Sequence, residues 1–501
     1  MTAAETPARG GRRRAPILIL VIVVLVGGFL AGHEHSPEAA RVPSPIEAAQ
    51  SSNERAISTA WYCPGLPASF PTSDQTITLS NLGSTDAQAA VTIHPDNESA
   101  AISRTVSVPH NTVSTFNRGT LANVSTPVSG KSPKPLPTGP IVVEPFSPSV
   151  VVSAGVETDA SLAVVPCATT PSTDWEFAAG TTVRGVSQWL VLDDPYSADA
   201  RVDVTLRTDS GLLLLPALQG IDVPGRSRVV IPIHNHAVRQ ARVAVEVHAS
   251  VGQVVAAQTL RFGSDSGRLG VATAFGALAP SSHWWFADGQ AVAHSQQWVA
   301  VTDLGTIDAN VVVQAGIGSK GIVNPVQLTV ASGTVSWVQI GGCGRNPKNC
   351  LAVPDGTGFD LTVQSDAKVP IVAQTLSRFD DPKTAVGATM SMGSTTAARH
   401  WVIPRTRALD EESTSISLLN YRVIAAHVDV RVVYDGKVDR PAAVQHLTIP
   451  FNSRLVLPPG LDGVSRHADA AIVISADEPI FAESTIYAKR DATRAPGVPT
   501  R

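Results

Sequence analysis

A tryptophan-led segment occurs four times along this chain, as WYCPG from Trp61, WEFAAG from Trp175, WWFADG from Trp284 and WVIPR from Trp401. Successive tryptophans are 114, 109 and 117 residues apart. An alternating strand closed by Asn or Asp follows each one, ending at Asn81, Asp194, Asp303 and Asn420, which lie 20, 19, 19 and 19 residues beyond the tryptophan. Chance does not hold such a distance four times, so the chain repeats one unit. A period near 110 residues exceeds a solenoid coil or a propeller blade and has the size of a domain.

Two further elements recur. One is a hairpin in which Val or Ile precedes, in three copies, Pro and a turn closed by Ser or Thr: VPHNTV from Val108, VPGRSRVVI from Val223, VASGTVSWV from Val330 and IPFNSRLVL from Ile449. Proline cannot donate to a ladder and Gly or Asn eases the turn. The other is an extended run ending in a polar step: QVVAAQTL at Gln253, PIVAQTL at Pro370 and PIFAESTI at Pro479, with SVVVSAG at Ser149 a weaker counterpart.

Runs such as ARVDVTL from Ala200 and HVDVRVVY from His427 alternate apolar and polar residues, the pattern of strands with one wet face. About seven such strands fit each copy, so the expected fold is all-β, four tandem immunoglobulin-like antiparallel sandwiches. A rod of four domains is the first arrangement expected. The alternative is a closed, propeller-like assembly in which the copies share strands and the chain ends meet. The expected boundaries are 59–170, 171–280, 281–397 and 398–490, with 491–501 a disordered tail. A tryptophan in the same register of every copy, followed two positions on by Phe or Ile in three of them, reads as a core plug. Trp189 and Trp298 are set beside inward Leu190 and Val299, and are candidate ligand contacts.

Residues 15–32, APILILVIVVLVGGFLAG, form an uncharged stretch long enough to cross a bilayer, preceded by Arg9, Arg12, Arg13 and Arg14. Positive charge stays cytoplasmic, which puts residues 1–14 inside and all that follows outside, beyond a polar tether at 33–58. The rival is a cleaved signal peptide, but a cut after Ala31 or Ala40 places Phe29 or Glu38 where a small residue is needed. The expected location is therefore the plasma membrane, single-pass, held by the N-terminal helix.

All four cysteines follow that segment, as an oxidising compartment favours. Cys343 and Cys350 flank a Gly, Asn and Pro-containing loop and suit a local disulfide. Cys63 and Cys167 bracket the first copy, and a bond between them ties its first strand to its last.

Nothing in the chain assembles a catalytic, cofactor or metal site. Gly130, Lys131 and Ser132 resemble the end of a phosphate loop whose first glycine would fall at Ser125. Ser365 to Lys368 match SxxK but sit between strands, with no partner motif. His234 and His236 lie in a variable loop, and His33 and His35 follow the apolar segment. Charged residues are 16% of the chain and the net charge is -4, so no nucleic-acid footprint is present. The expected function is a non-enzymatic scaffold or interaction module of the cell envelope, partnered by cell-wall polysaccharide or envelope membrane proteins. The alternatives are a carbohydrate-binding array and an envelope hydrolase with a site at a domain junction.

The segments WEFAAG and WWFADG, the strand after each, the VPxxS hairpin and the PIVAQ step resemble a repeat of actinobacterial envelope proteins, a family of unknown function. The resemblance rests on Trp175, Phe177, Ala178 and Gly180, and on Trp284, Phe286, Ala287 and Gly289. It implies location and architecture and supplies no catalytic residues. The first and fourth copies depart from it, with CPG and IPR after the tryptophan.

Overall fold

Alternation of Val, Ile and Ala with polar residues produces many strands, and they pair in several sheets, none of them closed, antiparallel except where Val335–Ile340 meets Cys350–Leu351. The computed structural model describes residues 60–500 apart from 68–69, 71–74, 97–98, 123–136, 159–160, 267–268, 345–347, 367–368, 382–384, 408–411 and 459–468. The apolar segment at 15–32, the tether, His33, His35 and Gly130 to Ser132 lie outside the described residues. Among the described residues no helix is long and apolar enough to cross a membrane.

The same pair of sheets recurs along the chain. In the first segment one sheet runs in the order Trp61–Cys63, Ile141–Pro145, Ala87–Ile93, Ile102–Val108, and the other Thr112–Asn117, Gln75–Asn81, Val150–Thr158, Ser161–Pro166. In the second segment Asp174–Phe177, Ala244–Val251, Ala200–Thr208 and Gly211–Leu213 repeat the first order. Ser227–Pro232, Val186–Asp194, Val255–Phe262 and Gly270–Phe275 repeat the second. In the fourth segment one long strand, Ala470–Tyr487, serves both sheets. The two sheets of a segment share one core, as Trp61, Cys63, Ile77, Leu79, Val91 and Val143 do in the first.

The repeated residues have repeated jobs. Trp61, Trp175, Trp284 and Trp401 are all at most 1% exposed. The indole N–H of Trp175, Trp284 and Trp401 donates to the carbonyl of Val254, Ile371 and Ile480, at 2.8, 2.9 and 2.9 Å. Each Asn or Asp that closes the following strand accepts the backbone N–H two residues on: Asn81 from Gly83, Asp194 from Tyr196, Asp303 from Gly305 and Asn420 from Arg422. These side chains fold the turn by themselves, which is why only Asn and Asp occupy the position.

Three expectations need correction. The segments do not form a rod. The first core continues into Val402, Val433, Ala471, Val473 and Val498 of the fourth segment, so the last segment packs back onto the first. The assembly is nevertheless not one of shared strands, because every ladder stays within its own segment. Finally, the expected tail at 491–501 carries two strands. Ala492–Pro496 pairs with the long strand and Val498–Thr500 pairs with the strand of Trp401. Its short run of small and proline residues hides strands that only tertiary partners stabilise.

Both disulfides are formed, with Cα atoms 5.1 Å apart for Cys63–Cys167 and 5.9 Å for Cys343–Cys350. The first joins the strand of Trp61 to the residue after Ser161–Pro166, and so staples the two sheets of the first segment. Replacing Cys63 and Cys167 by Ser is expected to cost about 2–4 kcal/mol, because the bond closes a loop of 104 residues. Urea unfolding of oxidised protein and variant measures it.

Candidate functional site: the axis between the segments

Four short strands, one from the end region of each segment, come together. Ser161–Pro166 lies against Gly270–Phe275, that strand against Ala385–Met392, that against Ala492–Pro496, and the last returns to the first. We call these the closing strands, and the line they surround the axis. They are rich in Ala, Gly, Thr and Val, small enough for four strands to approach one another.

One end of the axis is held by one carboxylate. Asp491 Oδ2 accepts the backbone N–H groups of Leu162 and Val271, both at 3.0 Å, and Oδ1 accepts those of Ala388 and Ala492, both at 2.9 Å. These four donors occupy one register position on the four closing strands, so a single side chain ties every segment to every other. The residues matching Asp491 in the other strands are Ser161, Gly270 and Gly387. A Cβ on Gly387 would stand 2.1 Å from Asp491 Oδ1, and one on Gly270 would stand 2.6 Å from the Ala388 nitrogen. Both glycines also have positive φ, +96° and +151°, where a side chain is strained. Burial pushes the Asp491 carboxyl up to about 7 against the opposing pull of its four N–H donors.

Between neighbouring segments one contact is varied four ways. The residues just past each recurrent tryptophan meet the second sheet of the next segment. The Pro64 carbonyl accepts Arg228 Nη1 at 2.6 Å, and Arg228 Nη2 pairs with Asp96 at 2.8 Å. Ala179 N–H donates to Gln374 Oε1 and Asp288 N–H to Glu483 Oε2, each at 2.9 Å. Around the closure, the Pro404 carbonyl accepts the Ser80 hydroxyl while Arg405 and Arg407 grip Glu157. Gln374 and Glu483 are the polar steps of PIVAQ and PIFAES, so that motif joins neighbours. This is a heterologous, head-to-tail contact that closes after four.

The contact between the third and fourth segments buries its charged groups most deeply, with Asp288 3% and Glu483 4% exposed. Arg454 Nη2 lies 2.9 Å from Asp288 Oδ1, and Asp288 also accepts hydrogen bonds from Ser417 and Thr485. Glu483 Oε1 accepts the Ser391 hydroxyl at 2.6 Å. Burial would lift the Asp288 carboxyl, but Arg454 and Arg494 outweigh it and hold it below its ordinary value, whereas burial does lift Glu483.

Beyond Asp491, the axis opens into a small pocket to which all four segments contribute. Val165, Pro166, Phe275, Trp284, Met390 and Met392 make it apolar, and Arg494 stands in its wall.

The residues singled out from sequence are dispersed around this axis. Trp189 and Trp298 are half-buried and already engaged. Trp189 meets Phe70 and His234, with ring centres 5.8 and 5.2 Å apart, and Trp298 meets Trp337 at 5.4 Å. His234 and His236 fall on a single helical turn, and His234 Nδ1 contacts the Gln188 carbonyl oxygen at 2.9 Å. Among the described residues no three His, Cys, Asp or Glu side chains converge as metal ligands would. The Ser365 hydroxyl donates to the Val369 carbonyl at 2.6 Å and closes a turn. Sequence reasoning missed the closing strands, Asp491 and Arg494. The available signal was a small-residue run after each polar step, GVATAF, AVGATM and ATRAPG, breaking symmetry at Asp491 and Arg494.

Fold and site together define an all-β protein of several antiparallel sheets packed about one axis. The chain belongs to the Family of unknown function (DUF5719), whose model matches residues 143–460. No curated protein sequence matches it. Among solved structures, an Anabaena sensory rhodopsin transducer is 27% identical, over 21% of this chain and 90% of that one, with a TM-score of 0.17. The crystal structure of Thermotoga maritima 1070 is 14% identical, over 23% of this chain and 94% of that one, with a TM-score of 0.20. A tetra-tandem repeat in the extending region of a large adhesion protein is 10% identical, over 88% of this chain and 99% of that one, with a TM-score of 0.10.

Changing Asp491 to Asn leaves one acceptor oxygen for four donors and turns an NH₂ group toward two of them. A cost of about 2–6 kcal/mol is expected, at about 1–3 kcal/mol for each of the two buried donors left unpaired. The pH dependence has a definite sign. A carboxyl whose folded pKa is about 7, above an ordinary value of 3.8, binds its proton more tightly when folded. Its contribution is full below about pH 4 and is lost as pH rises through 7. The stability gap between the wild type and Asp491→Asn should therefore narrow from pH 4 to pH 8 in thermal melts.

Proposed function

We propose that this is a non-enzymatic, membrane-anchored extracytoplasmic protein of the actinobacterial cell envelope. In this reading residues 1–14 are cytoplasmic, 15–32 cross the membrane once, and 33–58 tether four immunoglobulin-like sandwiches outside. The sandwiches act as one interaction module for cell-wall polysaccharide or envelope membrane proteins.

The observation that carries the reading is the return of the fourth segment onto the first. A spacer needs only end-to-end domains, whereas a closed set of four presents its loops in a fixed relation to one another, as a binding platform requires. Two disulfides agree with an oxidising compartment.

Topology is tested with the full chain carrying a tag at each end in protoplasts of the source cell type. External protease should remove the C-terminal tag and spare the N-terminal one, and alkaline carbonate should leave the protein in the membrane. Protection of the C-terminal tag, or release by carbonate, overturns the anchored reading. Co-sedimentation of the solubilised full chain with isolated cell-wall polysaccharide then separates partners. Saturable binding assigns the polysaccharide, and its absence with folded protein assigns membrane proteins.

A further inference from the structure

One pair of loops departs from the repeat by giving up a charge and gaining exposed apolar surface. In each segment the turn after Asn81, Asp194, Asp303 or Asn420 lies beside the tip of the recurrent hairpin. Further along that turn stand Asp86, Asp199 and Asp308, whose carboxylates accept the backbone N–H of His110, Gly225 and Ser332 at 2.9, 3.0 and 2.9 Å. The fourth segment has Ala425 and Phe451 at these places, so the carboxylate that braces the tip is gone. Val423 stands where the other segments have Ser84, Ser197 and Thr306, and Ile424 where they have Thr85, Ala198 and Ile307. Val423 is 89% exposed, Phe451 66% and Ile424 48%. The two loops are still joined. The Asn420 amide donates to the carbonyls of Ile424 and Ile449 at 2.7 and 3.1 Å, and the Asn452 N–H to that of Arg422 at 3.2 Å. Three large apolar side chains are thus held out into solvent on one braced tip, and such a patch marks a contact with another apolar surface.

From these observations we infer that the tip of the fourth segment docks onto a lipid bilayer, with Val423, Ile424 and Phe451 entering the boundary between headgroups and acyl chains. The occupant follows from where the chain enters the folded body. Trp61–Cys63 runs antiparallel to Ile141–Pro145, which leads to Phe146 and Ser149 beside the first tip, so the residues before Trp61 arrive from the tip end. In the first and fourth segments the second sheet stretches from the tip toward Asp491. Asn81 pairs with Val150 and Gln75 with Val156, as Leu419 pairs with Phe481 and Ser413 with Tyr487. The closing strands of these two segments run side by side in one direction, Asp491 meeting Leu162 and Thr493 meeting Val164. Both tips therefore lie at the end of the axis away from Asp491, the end at which the chain arrives. On the anchored reading, on which this inference rests, residues 33–58 can span at most about 90 Å, so the body stays beside the bilayer. Val423 and Ile424 suit hydrocarbon and offer a sugar neither a flat ring nor a polar group. Alanine at 425 also spares the boundary a carboxylate that would have to shed its water.

The test uses the full chain in nanodiscs of phosphatidylcholine and phosphatidylglycerol. Ala425→Cys carries a polarity-sensitive fluorophore at the tip, and Leu269→Cys carries it at an exposed residue beside Gly270, at the Asp491 end. Nitroxide on the lipid acyl chains should quench the label at 425 by about twofold or more and leave that at 269 unchanged. Adding Val423→Ser, Ile424→Ser and Phe451→Ser to Ala425→Cys should abolish the quenching while the protein stays in the nanodisc, with an unchanged thermal melt as the check on folding. The inference is overturned by equal quenching at the two positions, by none at 425, or by quenching that survives the serine changes. A blue shift at 425 that grows with protein concentration and ignores the nitroxide means that a second copy covers the tip, and overturns it as well. A chain that does not enter nanodiscs counts against the anchored reading alone. The labelled protein is then mixed with vesicles of the same lipids, where quenching confined to 425 upholds the docking tip and its absence overturns it.

Discussion

A carboxylate buried among four backbone N–H groups is the point on which the assembly turns. Each closing strand leaves one donor aimed at the axis, and water cannot reach it there. Asp491 supplies the acceptors, two N–H groups to each oxygen. Fourfold repetition would place four such side chains at one point, where like charges could not coexist. The chain resolves this by divergence, keeping one acid and setting Ser161, Gly270 and Gly387 at the matching places. Gly387 vacates the space that the acid fills, and Gly270 lets its strand approach Ala388.

The same logic governs the contacts between neighbours. One geometry, the residues just past a recurrent tryptophan against the next second sheet, is kept while its chemistry changes from Arg228 to Gln374 to Glu483 to Ser80 and Glu157. Distinct chemistry at each contact makes the order of segments unambiguous, because a segment placed out of turn would bury an unmatched charge. Covalent tandem linkage allows this. Identical subunits would be confined to one chemistry for all contacts.

Much of the fold was legible because it is local. Period-two alternation marks strands, Asn81, Asp194, Asp303 and Asn420 fold their own turns, and a tryptophan at constant register marks a core. The pairing of Cys63 with Cys167 followed from their positions at the two ends of one segment. The axis was not legible. A run such as ATRAPG has little strand propensity of its own, and Asp491 within it resembles any exposed turn acid until four strands surround it. Trp189 looked available by alternation, yet Phe70 of the preceding segment and His234 cover part of its ring.

By itself the sequence determined the repeated unit, its all-β character, its turns and the partners of its cysteines, since each depends on residues close in the chain or on one pattern repeated. Only the tertiary structure decided that the fourth segment returns to the first, that the last residues form strands, and that Asp491 and Arg494 meet at one axis. Those outcomes depend on groups brought together across 329 residues, as between Leu162 and Asp491, where burial rather than local propensity sets the chemistry.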